Sequence, residues 1–472
     1  MGTRNTLYTS FALLVPVLTW LYYKTRSRRS VVRPPSPLSL PLIGNLLSLP
    51  SGPEHIVYMK LGKELKSDII YLDLLGHDIV VLNSPQAASE LFDKRSSIYS
   101  DRFCPLIFKD KSLFDWSTSP AFLGYNDIWR HHRRMMNKWL NTREVSQFYK
   151  MQEIRARTLL QRLLTVSAEA HPFNSVKNEF YFAMGSSIFQ MTYGYTLQET
   201  TDPYFKAAHE VDDHAAQAAM ITNFYVNVFP FLNRVPEWLP GTGWKHLRTD
   251  APFQWTQNQV AQGTNETSII SDLLQDHNLM SGLNHKERDS RLKELAHILY
   301  SDITSSLLLS FVAAMLGPGV LPTMSDRDRL PYVNRLILEL MRWRPPLATG
   351  IPHQCFQDDV YRGYNITKGT IVSMGRDENV YRDAETFEPD RFLDPEVPPI
   401  PVFGWGRRKC PGVYFGEASL FITIASLLAA FTFSKKKDAD GNYIEPVIED
   451  SPNSIILYVI HISHPKTVHT KT

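Results

Sequence analysis

Ten consecutive residues, Phe403-Gly404-Trp405-Gly406-Arg407-Arg408-Lys409-Cys410-Pro411-Gly412, constrain this chain more than any other stretch. They set one cysteine in a glycine-punctuated, strongly basic loop. An apolar run of helical length follows at once, from Val413 to Phe431. Basic neighbours and the N-terminal end of a helix both favour an ionised sulfur. Gly404, Gly406 and Gly412 let the backbone approach something flat and close. The loop therefore predicts a thiolate at Cys410, the form that ligates a metal or attacks an electrophile. A lone cysteine is otherwise a small buried hydrophobe, and a triplet of cations is otherwise a solvated patch. Neither explains why both coincide with glycines and aromatics ahead of an apolar helix.

The 472 residues, 43% of them hydrophobic and 12% aromatic, suffice for a large core. A formal net charge of +2 provides no bulk field for nucleic acid, which is excluded as a partner. The three cysteines, Cys104, Cys355 and Cys410, lie far apart. That is no disulfide framework and suits a reducing compartment; Cys104 and Cys355 read as structural. Leu7 to Tyr23 carries no charge over 17 residues, the short end of a membrane-spanning helix. Lys24, Arg26, Arg28 and Arg29 follow it, with only Arg4 before it. This asymmetry keeps the following chain cytosolic and argues against a cleaved signal peptide. The sequons at Asn265 and Asn365 are then expected to be bare. Residues 1–30 read as an anchor with a basic flank. Residues 31–50, with Arg33-Pro34-Pro35-Ser36-Pro37 and Pro41, read as a stiff proline-rich hinge.

Further along, Asp68 to Asn83 alternates around a turn near Gly76-His77 and predicts a strand pair. Trp129 to about Val312 is mostly helical in pattern, with Leu295 to Leu316 a long apolar helix candidate. Asn223 to Leu239 is aromatic and proline-interrupted. Strand-like pieces recur near Val360 to Val372 and Ser454 to Ile462, and Lys435 to Asn442 is a charged turn. The fold class is mainly α with minor β. His131 and His132 are adjacent, which is not zinc-site spacing.

The ten-residue loop satisfies F-x-x-G-x-R-x-C-x-G and resembles the haem-binding loop of the cytochrome P-450 family of haem-thiolate monooxygenases. Three further elements stand in the family's order: Trp129 and Arg133 as W-x-x-x-R, Glu339 and Arg342 as E-x-x-R, and Pro389-Asp390-Arg391-Phe392 as P-x-R-F. The resemblance implies a cytochrome P-450 fold of microsomal fungal specialised-metabolism type, with a long central helix over haem, small β-sheets and an N-terminal transmembrane helix. Residues 51–472 would then form a single haem-binding catalytic domain. Cys410 would be the axial ligand of haem b, within a loop shaped by Phe403, Gly404 and Gly412. Trp129, Arg133, His353 and Arg408 are the candidates to hold the propionates, and Glu339, Arg342 and Arg391 a network behind the haem. The implied reaction inserts one oxygen atom from dioxygen into a lipophilic small molecule, such as a terpenoid or polyketide. The chain carries no Gly-rich dinucleotide fingerprint, so its electrons would come from a separate NADPH-dependent cytochrome P-450 reductase at the endoplasmic reticulum membrane.

The chain departs from the family in its central helix, which usually reads A/G-G-x-D/E-T-T/S. In Leu299-Tyr300-Ser301-Asp302-Ile303-Thr304 the acid is kept, Tyr300 replaces the glycine and Ile303 replaces the threonine. Asp302 and Thr304 are the candidates for proton delivery, although Thr304 points about 100° away from the usual position. The 37 residues from Asp302 to Glu339 are few, and Gly317-Pro318-Gly319 falls where another helix is expected. Met374-Gly375-Arg376 and Pro398 to Pro401 look similarly trimmed. Two other readings therefore accompany the monooxygenase: a haem-binding relative with impaired activity, and a peroxide-using or rearranging protein.

Overall fold

The computed structural model describes residues 31–41, 43–110, 113–166, 173–218, 250–300, 321–375, 377–431, 440–442, 447–449 and 459–461. The anchor candidate, the aromatic stretch 223–239, Asp302, Thr304 and residues 317–319 lie outside these ranges. The chain divides into two compact units. The first draws on Met1–Phe103, Pro352–Asp377 and Trp405–Arg407, and the second on Cys104–Ile351, Glu378–Gly404 and Arg408–Thr472.

In the first unit, α1 (Glu54–Glu64) precedes β1 (Ile69–Leu74) and β2 (His77–Leu82). These are the predicted strand pair, in register from Ile69↔Leu82 to Leu74↔His77. Leu75 and Gly76 both take positive φ (53° and 92°), the conformation of a two-residue hairpin turn that matches strand twist. Then follow β3 (Asp101–Arg102), β4 (His353–Gln354), β5 (Asp359–Tyr361), β6 (Tyr364–Ile366) and β7 (Ile371–Met374). The main sheet runs β1-β2-β7-β4-β3, while β5 and β6 form a separate hairpin. Among the described strands, only β2 and β7 pair in parallel, with Ile79 opposite Ile371. Tyr71, Val80, Leu82, Leu91, Phe92, Tyr99 and Val372 fill the core of this unit.

The proline-rich hinge is bonded to the hairpin. Prolines donate no N–H, so such a segment can offer little but carbonyls. Tyr71 N donates to Pro35 O (2.9 Å) and Asn45 N to Asp73 O (2.7 Å). The buried Asn45 amide reaches back to Pro37 O and Leu38 O, at 2.8 and 3.1 Å. Arg33 stacks over the Tyr71 ring at 4.5 Å.

The second unit is helical: α2 (Asp127–Leu140), α3 (Tyr149–Val166), α4 (Phe173–Tyr193), α5 (Pro203–Ala218), α6 (Ala251–Gln262), α7 (Ile269–Gln275), α8 (His285–Tyr300), α9 (Pro331–Trp343) and α10 (Val413–Ala430). The short strands β8 (Val447–Glu449) and β9 (Val459–His461) pair antiparallel. The apolar run after Cys410 is α10. It is long and apolar enough to cross a membrane, but most of it is buried in this unit. Successive residues Leu420, Phe421 and Ile422 are all covered, as befits a helix that is hydrophobic all round. Leu159, Leu160 and Leu163 of α3 and Leu336, Ile337 and Leu340 of α9 share its core.

A cysteine-centred candidate active site

The loop that precedes α10 is closed by its own backbone. Cys410 N donates to Phe403 O at 2.7 Å and Gly404 N to Pro401 O at 2.9 Å. The glycines act differently from one another. Gly406 has φ +51°, and a Cβ there would stand 2.1 Å from Phe92 O, so no side chain fits. Its N–H donates to Asp93 Oδ1 at 2.8 Å. Gly412 instead has an ordinary φ of −81° and caps α10. Its amide faces the Cys410 sulfur and pulls the thiol pKa down.

Cys410 lines a recess of about 400 Å³ with Arg133, Arg134, Asn137, Lys409 and Tyr414. The sequence pattern predicts a thiolate. The structure instead raises the thiol pKa: burial is the largest influence and outweighs both the Gly412 N–H and the Arg133 charge. Cys410 exposes surface as a residue and lines this recess, while its sulfur is crowded by neighbouring atoms. A metal deprotonates a thiol that coordinates it, whatever the pKa of the free group.

Beside the recess, α2 starts where Asn126 Oδ1 accepts from Trp129 N at 2.9 Å. This cap sets Trp129 and Arg133 one turn apart on a shared face. Two guanidiniums flank the buried indole, Arg408 at 4.4 Å and Arg133 at 5.6 Å from its centroid. Arg133 donates to Lys409 O (2.8 Å), and Arg408 to Leu123 O (2.7 Å) and Pro120 O (3.3 Å). Burial lowers the Arg133 pKa, and no carboxylate pairs with it among the described residues.

Glu339 and Arg342 sit one turn apart on α9, 0% and 2% exposed. Arg342 grips the carboxylate with two prongs, Nε to Oε2 at 2.6 Å and Nη2 to Oε1 at 2.8 Å. Arg391 Nε (3.0 Å) and Glu388 N (2.7 Å) complete Oε1. The remaining guanidinium protons go to main-chain carbonyls: Arg342 to Ala384 and Thr386, Arg391 to Arg382 and Thr386. The structure thus brings Glu339, Arg342 and Arg391 together. The carbonyls that complete the network were invisible beforehand, since any residue supplies one.

His353 belongs to the first unit. It is buried, stacks on Phe92 at 4.1 Å, and its Nδ1 meets Tyr99 O at 2.6 Å. Cys355 is buried, with its thiol pushed up to about 11, and Cys104 up to about 12, both chiefly by burial. His131 bridges helices, Nε2 meeting Leu279 O at 2.8 Å and Nδ1 meeting Arg291 at 2.7 Å. His132 is fully buried, and burial, then the His131 and Arg291 charges, pull it down to about 3. An unfolded chain takes a proton on this residue below its ordinary value of about 6.5, which the folded chain refuses. Folding stability should therefore fall as pH drops from about 6.5 toward 3, by up to about 1.4 kcal/mol per pH unit. Urea denaturation at about pH 7 and pH 5.5 should show a smaller difference for His132→Leu than for the parent chain.

A mainly helical body, a cysteine just ahead of a buried apolar helix and the desolvated Arg133 guanidinium beside it make a setting that suits a metal cofactor held through sulfur. Comparison with known proteins specifies the kind. The profile described as Cytochrome P450 matches residues 34–297 and 312–455. The chain is similar to cytochrome P450 monooxygenase 208 of Postia placenta (34% identical, covering 97% of this chain and 93% of the relative). It is also similar to cytochrome P450 monooxygenase ple1 of Rhodocybe pseudopiperita (33%; 88% and 86%) and claR of Ampulloclitocybe clavipes (30%; 93% and 86%). The chain belongs to the cytochrome P450 family, and it is an oxidoreductase of the monooxygenase type. The alignment with the Postia placenta relative spans 500 positions, more than the 472 residues here, so it opens gaps in this chain.

The family implies haem held by a cysteine thiolate, and the residues present fit that group. A single sulfur with an amide aimed at it suits the iron. Arg133, half-buried with no carboxylate partner among the described residues, and Arg408 beside the same indole suit a dianionic edge.

Proposed function

We propose that this chain is a membrane-anchored haem-thiolate monooxygenase, with Cys410 as the axial ligand. It would insert one oxygen atom into a lipophilic specialised metabolite using electrons from an NADPH-dependent reductase. The carrying observation is the juxtaposition of the Cys410 sulfur with Arg133, whose desolvated charge has no carboxylate partner among the described residues. Bound haem supplies the dioxygen chemistry that side chains lack. The protein does the rest. Cys410 would hold the haem iron through its sulfur, which the Gly412 amide steadies. Arg133 and Arg408, fixed against Trp129, would hold the propionates. Glu339, Arg342 and Arg391 hold the segment 382–391 against α9. Asp302 and Thr304 move protons, and residues 51–472 act as one catalytic domain. The apolar run Leu7 to Tyr23 with its cationic flank supports anchoring in the endoplasmic reticulum membrane. Exposed Arg134 and Lys409 at the rim of the recess suit an acidic electron-donating partner.

A specific finding favours a second reading, a haem-binding relative with impaired activity. The family match passes over residues 298–311, the stretch in which Tyr300 and Ile303 replace the usual glycine and threonine. The experiment follows consumption of NADPH against product and peroxide, in the presence of reductase. Product formation supports the monooxygenase. Turnover with added peroxide but none with reductase transfers the assignment to a peroxide-using protein. Ile303→Thr is expected to lower peroxide release per NADPH several-fold; unchanged release would remove the central helix as the cause.

A further inference from the structure

Three helices of the second unit, α3, α4 and α10, border a small void whose mostly apolar wall carries the polar residues Gln152, Arg155, Ser187, Ser419 and Thr423. Gln152 is 2% exposed. Its amide nitrogen donates to Phe415 O at 3.0 Å and Ser419 Oγ at 2.6 Å. Turning the amide over would set its oxygen against the Phe415 carbonyl oxygen, so the orientation is fixed by chemistry. The amide oxygen must then face the void, where it has no hydrogen-bond partner. Arg155 lies one turn along α3 on the same face. Its Nη2 donates to Gln190 Oε1 at 2.8 Å, while its buried Nε has no acceptor. One unused acceptor and one unused donor therefore belong to residues that border the same space. Its volume is about 10 Å³, roughly the minimum that admits one water. A wholly apolar void of this size would stay dry, but buried polar atoms are rarely left unsatisfied.

We propose that this void is a binding site for one resident water molecule, which donates to Gln152 Oε1 and accepts from Arg155 Nε. The Ser187 and Thr423 hydroxyls stand at the same wall as further partners. The consequence reaches the candidate active site through the main chain. Gln152 holds the carbonyl of Phe415, within the first turn of α10, and that turn begins at Gly412, two residues past Cys410. The water satisfies the amide oxygen in the orientation that the Phe415 bond fixes.

High-resolution crystal structures of the haem-loaded full chain, parent and variants, test the site. The parent should show a density peak within hydrogen-bond distance of both Gln152 Oε1 and Arg155 Nε. Arg155→Met, which keeps volume but removes the donor, should lose that peak. Counting long-lived internal waters by magnetic relaxation dispersion of labelled water should find one fewer in Arg155→Met than in the parent. A direct Gln152–Arg155 contact in the parent, or an empty void between unpaired atoms, would overturn the proposal. So would an unchanged peak in the variant. If Arg155→Met does not fold, the parent density decides alone.

Discussion

Replacing Cys410 with serine is expected to abolish the thiolate-type Soret band of the reduced, carbon-monoxide-treated protein. The substitution changes one atom and leaves the main-chain bond from residue 410 to Phe403 O untouched, so the loop should keep its shape. A serine hydroxyl does not ionise at the pH where a metal-bound thiol does, and it is a harder donor. Far-UV circular dichroism should change little, which separates loss of a ligand from loss of the fold. Haem should also stop stabilising the chain. A group bound at about a thousand times its dissociation constant contributes about 4 kcal/mol, and that increment should vanish from thermal unfolding. A retained band of the same position would assign the sulfur ligand elsewhere, with Cys355 and Cys104 the only other cysteines in the chain.

The largest effect on folding is expected from Arg342→Met. The change removes both prongs on Glu339 and the bonds to Ala384 O and Thr386 O, at 2.7 and 3.1 Å. Glu339, with no exposed surface, keeps only Arg391 and the Glu388 amide. Breaking a buried pair by deleting one partner costs about 3–5 kcal/mol, against a total stability of about 5–15 kcal/mol. The urea midpoint should fall accordingly, and haem should be lost on gel filtration. Arg342→Lys should recover less than half, because an ammonium cannot grip both oxygens and two carbonyls at once. Arg335→Met makes the contrast. Its partner Asp390 lies 3.1 Å away but is half-exposed, and the expected loss is under about 1 kcal/mol. Equal losses at positions 342 and 335 would refute the network's importance.

The difference between these two arginines marks what the sequence could and could not disclose. A glutamate and an arginine three apart on a helix are expected to meet, because the helical period puts them on one face. Nothing in that spacing says that the Glu339–Arg342 pair is buried, and no local pattern links Arg335 to Asp390, 55 residues on. Burial of Arg342 follows from segment 382–391 folding back over α9, a contact some 45 residues away in sequence. The hairpin β1–β2 was legible from alternation and a turn signal. Its parallel partner β7 was not, because short-range pattern carries no information about strands far along the chain. At Cys410 the basic neighbours were read as favouring a thiolate. Arg407 and Lys409 are exposed, however, and the sulfur answers to the atoms packed around it. Charge along a sequence predicts a pKa only where side chains also converge in space. The central helix illustrates the opposite case: its departures from family pattern are plain in the letters, and the family match itself omits them.

The parallel pairing of β2 with β7 also sets a timetable for synthesis. Ile79 and Ile371 are 292 residues apart, and each is the other's partner. A ribosome adding about 5–20 residues per second needs about 15–60 s to cover that distance. For that interval the nascent hairpin presents β2, whose inner residues Ile79 to Leu82 are all apolar, as an unfinished edge. The first unit therefore closes late in translation, although most of its residues are made first. Protection of that edge on the ribosome belongs to the requirements for producing this protein intact.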